Sequence, residues 1–290
     1  MLLGGKKKAP KLGEALKSLC RNEITIAANP SEGRTAPCQS RIGGKPAVPK
    51  NFVWPRFEAE SYDGETANRP LSFLGQFDLA DIAAYDKEEL LPKKGLLLFF
   101  YEQETMRWGF DPEDAGCSRV YYFADTEKLE PMAYPDDLKE EYRVREFDLS
   151  FGVGDSYPDF EELTCLSDSE WDWDSYEEAL DTLGYAADCE RHKLLGYANL
   201  IQGEMLTECE RVNRGLYCGD AKSYRETPEA VKADIRSTAK DWLLLFQMAS
   251  IQEDDWELMF GDLGNLYFYI RKEDLKNRSF DKAWLVLQCG

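Results

Sequence analysis

The chain has 290 residues with 35 Lys and Arg against 55 Asp and Glu and one His, a formal charge of −20. That imbalance excludes the nucleic-acid backbone as a partner, because a surface so acidic repels phosphates over a Debye length of about 8 Å at physiological salt. Apolar residues at 43% and aromatics at 13% supply a packed core, and no apolar run approaches the roughly 18 residues of a membrane span.

Met1 to Lys8 places three lysines behind a very short apolar stretch. This reverses the order of a secretory leader, so a cytoplasmic location with no membrane association is the expectation. Residues 1–50 hold ten basic and three acidic groups, which leaves 25 basic and 52 acidic groups for the rest. A net +7 leader thus precedes a −27 body. Leu12, Ala15, Leu16 and Leu19 recur at helical spacing, and Glu23 to Ala27 alternates as an edge strand does. Thr35 to Pro55, rich in Gly and Pro, reads as an ordered loop pinned by Phe52 and Trp54.

A strand over Leu71–Phe77, a short helix over Leu79–Tyr85, a turn at Pro92–Gly95 and buried strands over Leu96–Glu102 and Arg119–Phe123 follow. Between Glu146 and Glu190 stand fifteen carboxylates and no Lys or Arg. This acidic insertion reads as a solvated excursion anchored by Trp171, Trp173 and Tyr176. Thr227-Pro228-Glu229 predicts a helix with Thr227 as N-cap and Pro228 at its first position. Strands are expected over Leu243–Ile251, Leu266–Ile270 and Trp284–Gln288. Helices mixed with strands, and no regular βαβ repetition, predict an α+β fold of largely antiparallel sheets with flanking helices.

The chain is internally duplicated. Leu71 to Leu79 and Trp242 to Ile251 align on Gln76 and Gln247. Nineteen and seventeen residues later, Gly95 and Gly264 each open an aromatic strand. The expected organisation is a basic helix–strand segment over 1–36 and one duplicated domain over 37–290. Its halves run roughly over 37–145 and 190–290, with the acidic insertion over 146–190 between them. A buried amide must be hydrogen-bonded, so Gln76 and Gln247 either cap neighbouring backbone or face a shared cleft.

Catalytic and metal chemistry find little footing. With one histidine, two-histidine schemes are excluded, and His192, between Arg191 and Lys193, reads as a structural residue at a surface strand entry. Eight scattered cysteines without a C-x-x-C pair read as reduced thiols, several in the core. Asp168, Glu170, Asp172 and Asp174 alternate like a calcium loop but lack its central Gly and terminal Glu. Asp262, in Phe260-Gly261-Asp262-Leu263-Gly264, reads as a turn residue. Phosphate-loop patterns are absent, and no metal or cofactor is expected.

Ser40-x-x-Gly43-Gly44-x-Pro46 with Pro49-x-x-Phe52-x-Trp54-Pro55 opens a series of four motifs. Phe73 to Leu79 with Leu91 to Phe100, Leu195-Gly196-Tyr197 with Ile201-Gln202, and Phe260 to Phe268 with Asp274-Leu275 and Phe280 continue it. In this order they resemble the YwqG-like family, a bacterial domain of unknown function. The resemblance implies a duplicated α+β fold and distant kinship with the programmed cell death protein 2 group of protein-binding, chaperone-like factors. It supplies no catalytic residue.

Two functions are carried forward. The first is a non-enzymatic protein- or peptide-binding module, chaperone-like or toxin-neutralising. Its cleft would be rimmed by Trp54, Gln76, Gln247 and Asp262, framed by the structural glycines and proline Gly43, Gly44, Pro46, Gly95, Gly196 and Gly264, and would take a basic protein or peptide. The second is a carboxylate-based hydrolase built on Asp262, or a small-ligand-binding protein.

Overall fold

A computed structural model describes residues 9–31, 33, 36–167, 171–186 and 191–290. Its frame is one sheet of ten antiparallel strands: β1 (Arg21–Pro30), β2 (Arg41–Ile42), β3 (Ser72–Asp78), β4 (Leu96–Tyr101), β5 (Ser118–Phe123), β6 (Phe147–Ser156), β7 (His192–Leu195), β8 (Trp242–Ala249), β9 (Asn265–Arg271) and β10 (Trp284–Gln288). Their spatial order is β10-β9-β8-β7-β1-β6-β2-β3-β4-β5. Around it lie helices α1 (Ala9–Leu19), α2 (Leu79–Ile82), α3 (Phe160–Leu166), α4 (Trp173–Leu183), α5 (Leu206–Val212), α6 (Ala221–Glu226), α7 (Glu229–Ala239) and α8 (Lys272–Lys276). The fold is α+β and antiparallel, as expected.

The order of strands reveals how the duplication is built. Strands β1 to β5 and β6 to β10 are two copies of one five-stranded unit, and each copy lends its first strand to the other. β1 lies between β7 and β6, both of the second copy, while β6 lies between β1 and β2, both of the first. The register obeys a two-fold relation centred on the pair Ala27 and Ser150. Ile24 faces Val153 as Phe147 faces Pro30, and Ile24 meets Leu194 as Phe147 meets Ile42. Both copies carry a β-bulge at the same place, after Phe73 and after Leu244. A bulge re-aims the strand, so its repetition gives both halves the same bend.

The segment 21–30, grouped by the sequence with a separate leader, is therefore the fifth strand of ten, hydrogen-bonded on both sides, and not an edge strand. The acidic stretch likewise begins with a sheet strand, β6. Its helix α4 then packs on the basic leader: Leu12 and Leu16, one helical turn apart on α1, bury against Leu163, Tyr176 and Ala179. Trp171 packs against the same cluster.

Strands β4 and β9 are buried on both faces, which is why they read as unbroken apolar runs. On the inner face, Leu97, Phe99 and Tyr101 join Leu266, Phe268 and Ile270 in one core shared by the two halves. Phe246 seals it, with ring centroids 5.1 Å from Phe77 and 4.7 Å from Phe99. On the outer faces the halves differ. The first packs Leu98 and Phe100 beneath Trp54 and Leu71, whereas the second places Tyr267 and Tyr269 beneath Met205, Leu206 and Cys209.

Helix α7 departs from its expected start. Pro228 is the N-cap, without a side-chain cap bond. The Thr227 hydroxyl instead donates to the Ser223 carbonyl at 2.7 Å, closing the preceding helix α6.

Candidate functional site: a cleft between the repeats

The two aligned glutamines do the same work in each half. Gln76 Oε1 accepts from the Ala47 N–H at 2.9 Å, and its Nε2 donates to the carbonyls of Pro37 and Gln39 at 2.9 and 3.0 Å. Gln247 Oε1 accepts from the Asn199 N–H at 2.9 Å, and its Nε2 donates to the Arg191 carbonyl at 3.0 Å. Each amide clamps the chain entering and leaving the short strand beside it, β2 or β7. Both are fully buried, so of the two roles open to them the structure gives backbone capping, not a common cleft.

The other two residues expected at that rim are also placed apart. Trp54 is buried in the outer core of the first half, its indole N–H donating to the Leu71 carbonyl at 2.8 Å. Asp262 is exposed on a turn closed by Gly264 N–H to Phe260 C=O at 2.9 Å, and it is the Asp262 carbonyl that is engaged, by the Gly290 N–H. A cleft over Trp54, Gln76, Gln247 and Asp262 is therefore corrected: a loop tryptophan, two clamped amides and a turn carboxylate do not converge.

The glycine motif is structural in both halves. Gly43 and Gly44 have φ of 63° and 67°, and Leu195 and Gly196, in the equivalent place, 61° and 73°. A Cβ on Gly44 would fall 2.1 Å from Glu146 Oε2, and one on Gly196 2.8 Å from the Glu23 side chain. Gly95, at φ 107°, and Gly264, whose Cβ would fall 2.2 Å from the Phe260 carbonyl, open β4 and β9. Pro46 leaves its carbonyl to the Met132 N–H at 2.9 Å.

His192 is buried rather than at the surface. Its Nδ1 accepts from the Ala249 N–H at 3.1 Å, as the Ser40 hydroxyl accepts from the Asp78 N–H at 2.8 Å in the first half. Burial pulls the imidazole down to about 4, which keeps it neutral as that acceptor requires.

A buried ionic layer lies beneath. Glu23 receives Lys193 at 2.9 Å and Arg191 at 2.8 Å, with Lys193 and Glu23 both buried. The first half repeats this more loosely, with Arg41 and Glu146 at 3.9 Å. Desolvation lowers the Lys193 pKa, opposed by the Glu23 charge. On α3, Glu162 is buried, its Oε2 without a protein hydrogen bond, and burial pushes its carboxyl up to about 8. The buried Tyr269 hydroxyl is also without such a bond, and burial, followed by the Glu162 charge, raises its pKa.

One space between the halves lies where the sheet curls until its two edge strands approach but do not pair. Tyr122 of β5 meets Phe280, just before β10, with ring centroids 5.3 Å apart. Beside that contact opens a cleft of about 770 Å³, lined from the first half by Asp114 to Arg119 and from the second by Trp242, Arg271, Asp274 and Asp281 to Leu285. Arg271 lies 4.5 Å over the Trp242 ring, and Glu210 fixes both, accepting from the indole at 2.9 Å and from the guanidinium at 2.5 Å. Lys282 is paired with Asp274 at 2.8 Å. Arg119 donates to its neighbour's carbonyl, Ser118, at 3.0 Å.

Two titratable groups of this wall are buried. Its one thiol, Cys117, is buried and pushed well above its ordinary pKa by desolvation, the reverse of what a thiolate nucleophile needs. Burial also raises the Asp114 carboxyl, which accepts from the Gly109 N–H at 3.0 Å. Nothing in the sequence predicted this lining, since Arg119 and Trp284 are equivalent residues that bear no resemblance to each other.

Among the described residues no group of three or more His, Cys, Asp or Glu side chains is placed to hold a metal ion. Of the calcium-like series, Asp168 and Glu170 lie outside the described residues, as do Lys6 to Lys8, and Asp172 is the N-cap of α4, accepting from Ser175 N–H at 3.0 Å. The described cysteines are free, with Cys117, Cys209 and Cys289 buried. No helix among the described residues is long and apolar enough to cross a membrane. Residues 40–289 match the family model described as a domain of unknown function, DUF1963. No curated protein matches the chain.

Proposed function

We propose that this chain, which belongs to the DUF1963 family, is a non-enzymatic binding module that holds an extended segment of a protein partner in the cleft between its repeats. One observation carries the reading: among the described residues β5 pairs with β4 alone, and the cleft opens between β5 and β10. An edge strand presents unsatisfied N–H and C=O groups, and an added strand gains backbone hydrogen bonds there while side-chain pockets supply selectivity. Trp284 and Arg271 are residue types that dominate binding energy at such surfaces.

The partner is a basic protein or peptide, whose encounter the −27 body accelerates at low salt. Chaperone-like or toxin-neutralising duty in the cytoplasm fits that chemistry, as does kinship with the YwqG-like proteins and, more remotely, with programmed cell death protein 2. A carboxylate hydrolase or small-ligand binder is the competing class. It would be favoured by turnover of a screened substrate that Asp262→Asn abolishes at unchanged melting temperature.

Hydrogen–deuterium exchange of the full chain with an array of basic ten-residue peptides tests the module. Slower exchange over 118–123 and 284–288 with at least one peptide is the expected result. Unchanged exchange of those strands across the array would overturn it.

A further inference from the structure

A second, smaller concavity shares Asp114 with the cleft, and its loop meets the cleft wall where the Trp284 indole N–H donates to the Gly109 carbonyl at 2.9 Å. It measures about 250 Å³ and is lined by residues 60–62 from one hairpin and residues 105–108, 110, 111 and 114 from the loop after β4. That hairpin pairs Arg56–Glu60 with Thr66–Pro70. Tyr62, at its tip, is 96% exposed, an unusual situation for an aromatic ring on a folded surface. Trp108 and Phe110 also line it, with ring centroids 6.4 Å apart, and Tyr217 meets Phe110 edge to face at 5.7 Å.

The charges around these rings are unequal. Arg107 Nη2 donates to the Glu60 carbonyl at 3.2 Å, and its Nε, without a hydrogen-bond partner, lies 4.0 Å from Asp114, so Asp114 offsets its charge. Glu60 and Asp111 remain as carboxylates on the rim, the second accepting the Glu113 N–H at 2.9 Å. Aromatic faces flanked by uncompensated carboxylates attract a cation through both the ring quadrupoles and the charge. A planar guanidinium stacks on rings and forks onto carboxylates, which an ammonium cannot do as well.

We propose that this notch binds the arginine side chain of a partner protein, held against Tyr62, Trp108 and Phe110 and neutralised by Glu60 and Asp111. The assignment does not depend on the cleft taking a peptide. The notch can hold an arginine whether or not β5 and β10 accept a strand.

The test titrates the full chain with a capped pentapeptide carrying one Arg among alanines, followed by nuclear magnetic resonance at low salt. The expected result is saturable shifts of the Trp108 indole N–H and of the amides of 60–62 and 105–111, absent for the analogue with norleucine in place of Arg. Tyr62→Ala, which removes an exposed ring, should weaken binding about fivefold, and Glu60→Gln should weaken it and reduce its salt dependence. No saturable shift at Trp108, or shifts unchanged in both variants, would overturn the proposal. The second outcome would mean general attraction to the acidic body. Protection of β5 and β10 by basic peptides is read at other residues, so either assignment can fail alone.

Discussion

Phe99 and Phe268 hold the same position in the two repeats, and their rings meet edge to face with centroids 5.0 Å apart. A residue has become its own packing partner across the pseudo-two-fold axis. The exchanged strands tie the repeats together on one side of the molecule, and this contact ties their inner faces.

Removing either ring should be expensive. Phe99→Ala and Phe268→Ala are each expected to destabilise by about 3–5 kcal/mol, since each leaves a cavity in a fully buried core. Because both truncations remove the same contact, the double variant should cost less than the sum. Urea denaturation of the four proteins gives the comparison, and strict additivity would mean that the rings do not couple.

The glutamine clamps predict matched losses. Gln76→Leu strands the Ala47 N–H, and Gln247→Leu strands the Asn199 N–H, so each should cost about 1–3 kcal/mol. Here the double variant should be additive, because the two sites share no partner. Unaltered stability in either single variant would contradict the clamping role.

Lys193 stands in a network from which one member cannot be taken cleanly. Lys193→Met leaves Glu23 buried with Arg191 as its remaining cation, and a loss of about 3 kcal/mol is expected. Adding Glu23→Gln should recover part of it, since the uncompensated charge is then gone. Thermal unfolding reads this directly: a double variant weaker than Lys193→Met would refute the ionic account.

Glu162 makes stability depend on pH. Its carboxyl titrates near about 8 when folded against 4.5 ordinarily, so between those values the native state holds a proton that the unfolded chain has released. Stability therefore falls as pH rises through that window. Glu162→Gln cannot lose a proton and should gain on the parent by about 3 kcal/mol toward pH 9. His192 acts at the other end: its imidazole, about 4 when folded against 6.5, contributes stability present above pH 6.5 and lost as pH falls toward 4. Between pH 4.5 and 6.5 the two slopes cancel, so melting temperatures should hold level there and decline above 6.5, and a Glu162→Gln curve that tracks the parent at alkaline pH would sink the assignment.

The parts of this architecture legible in the sequence were those encoded locally. Gln76 precedes Gly95 by 19 residues and Gln247 precedes Gly264 by 17, and Leu96–Tyr101 and Leu266–Ile270 are apolar without interruption, so both repeats and their central strands could be read. The exchange was not legible, because Ile24 and Phe147 are equivalent without being alike, and the choice of partner for β1 is made more than a hundred residues away. The alternation of Glu23, Thr25 and Ala27 imitates a strand with one wet face. In fact Glu23 is buried, its charge met by Lys193. The same pairing hid His192, whose charged neighbours advertise a surface although Lys193 is inside. The cleft escaped for a different reason: its lining comes from strand ends and the loops beside them, where equivalent residues such as Arg119 and Trp284 are unlike.

The lending of first strands also sets a timetable for synthesis. When β1 leaves the ribosome neither of its neighbours exists, and the second, β7, ends at Leu195. At the usual pace of translation that is a wait of about 10–30 seconds, and until β6 is made Ile24 and Ile26 have no sheet to enter on either side. The first repeat cannot be completed ahead of the second, so the nascent chain must remain open at its beginning until its last third is being made.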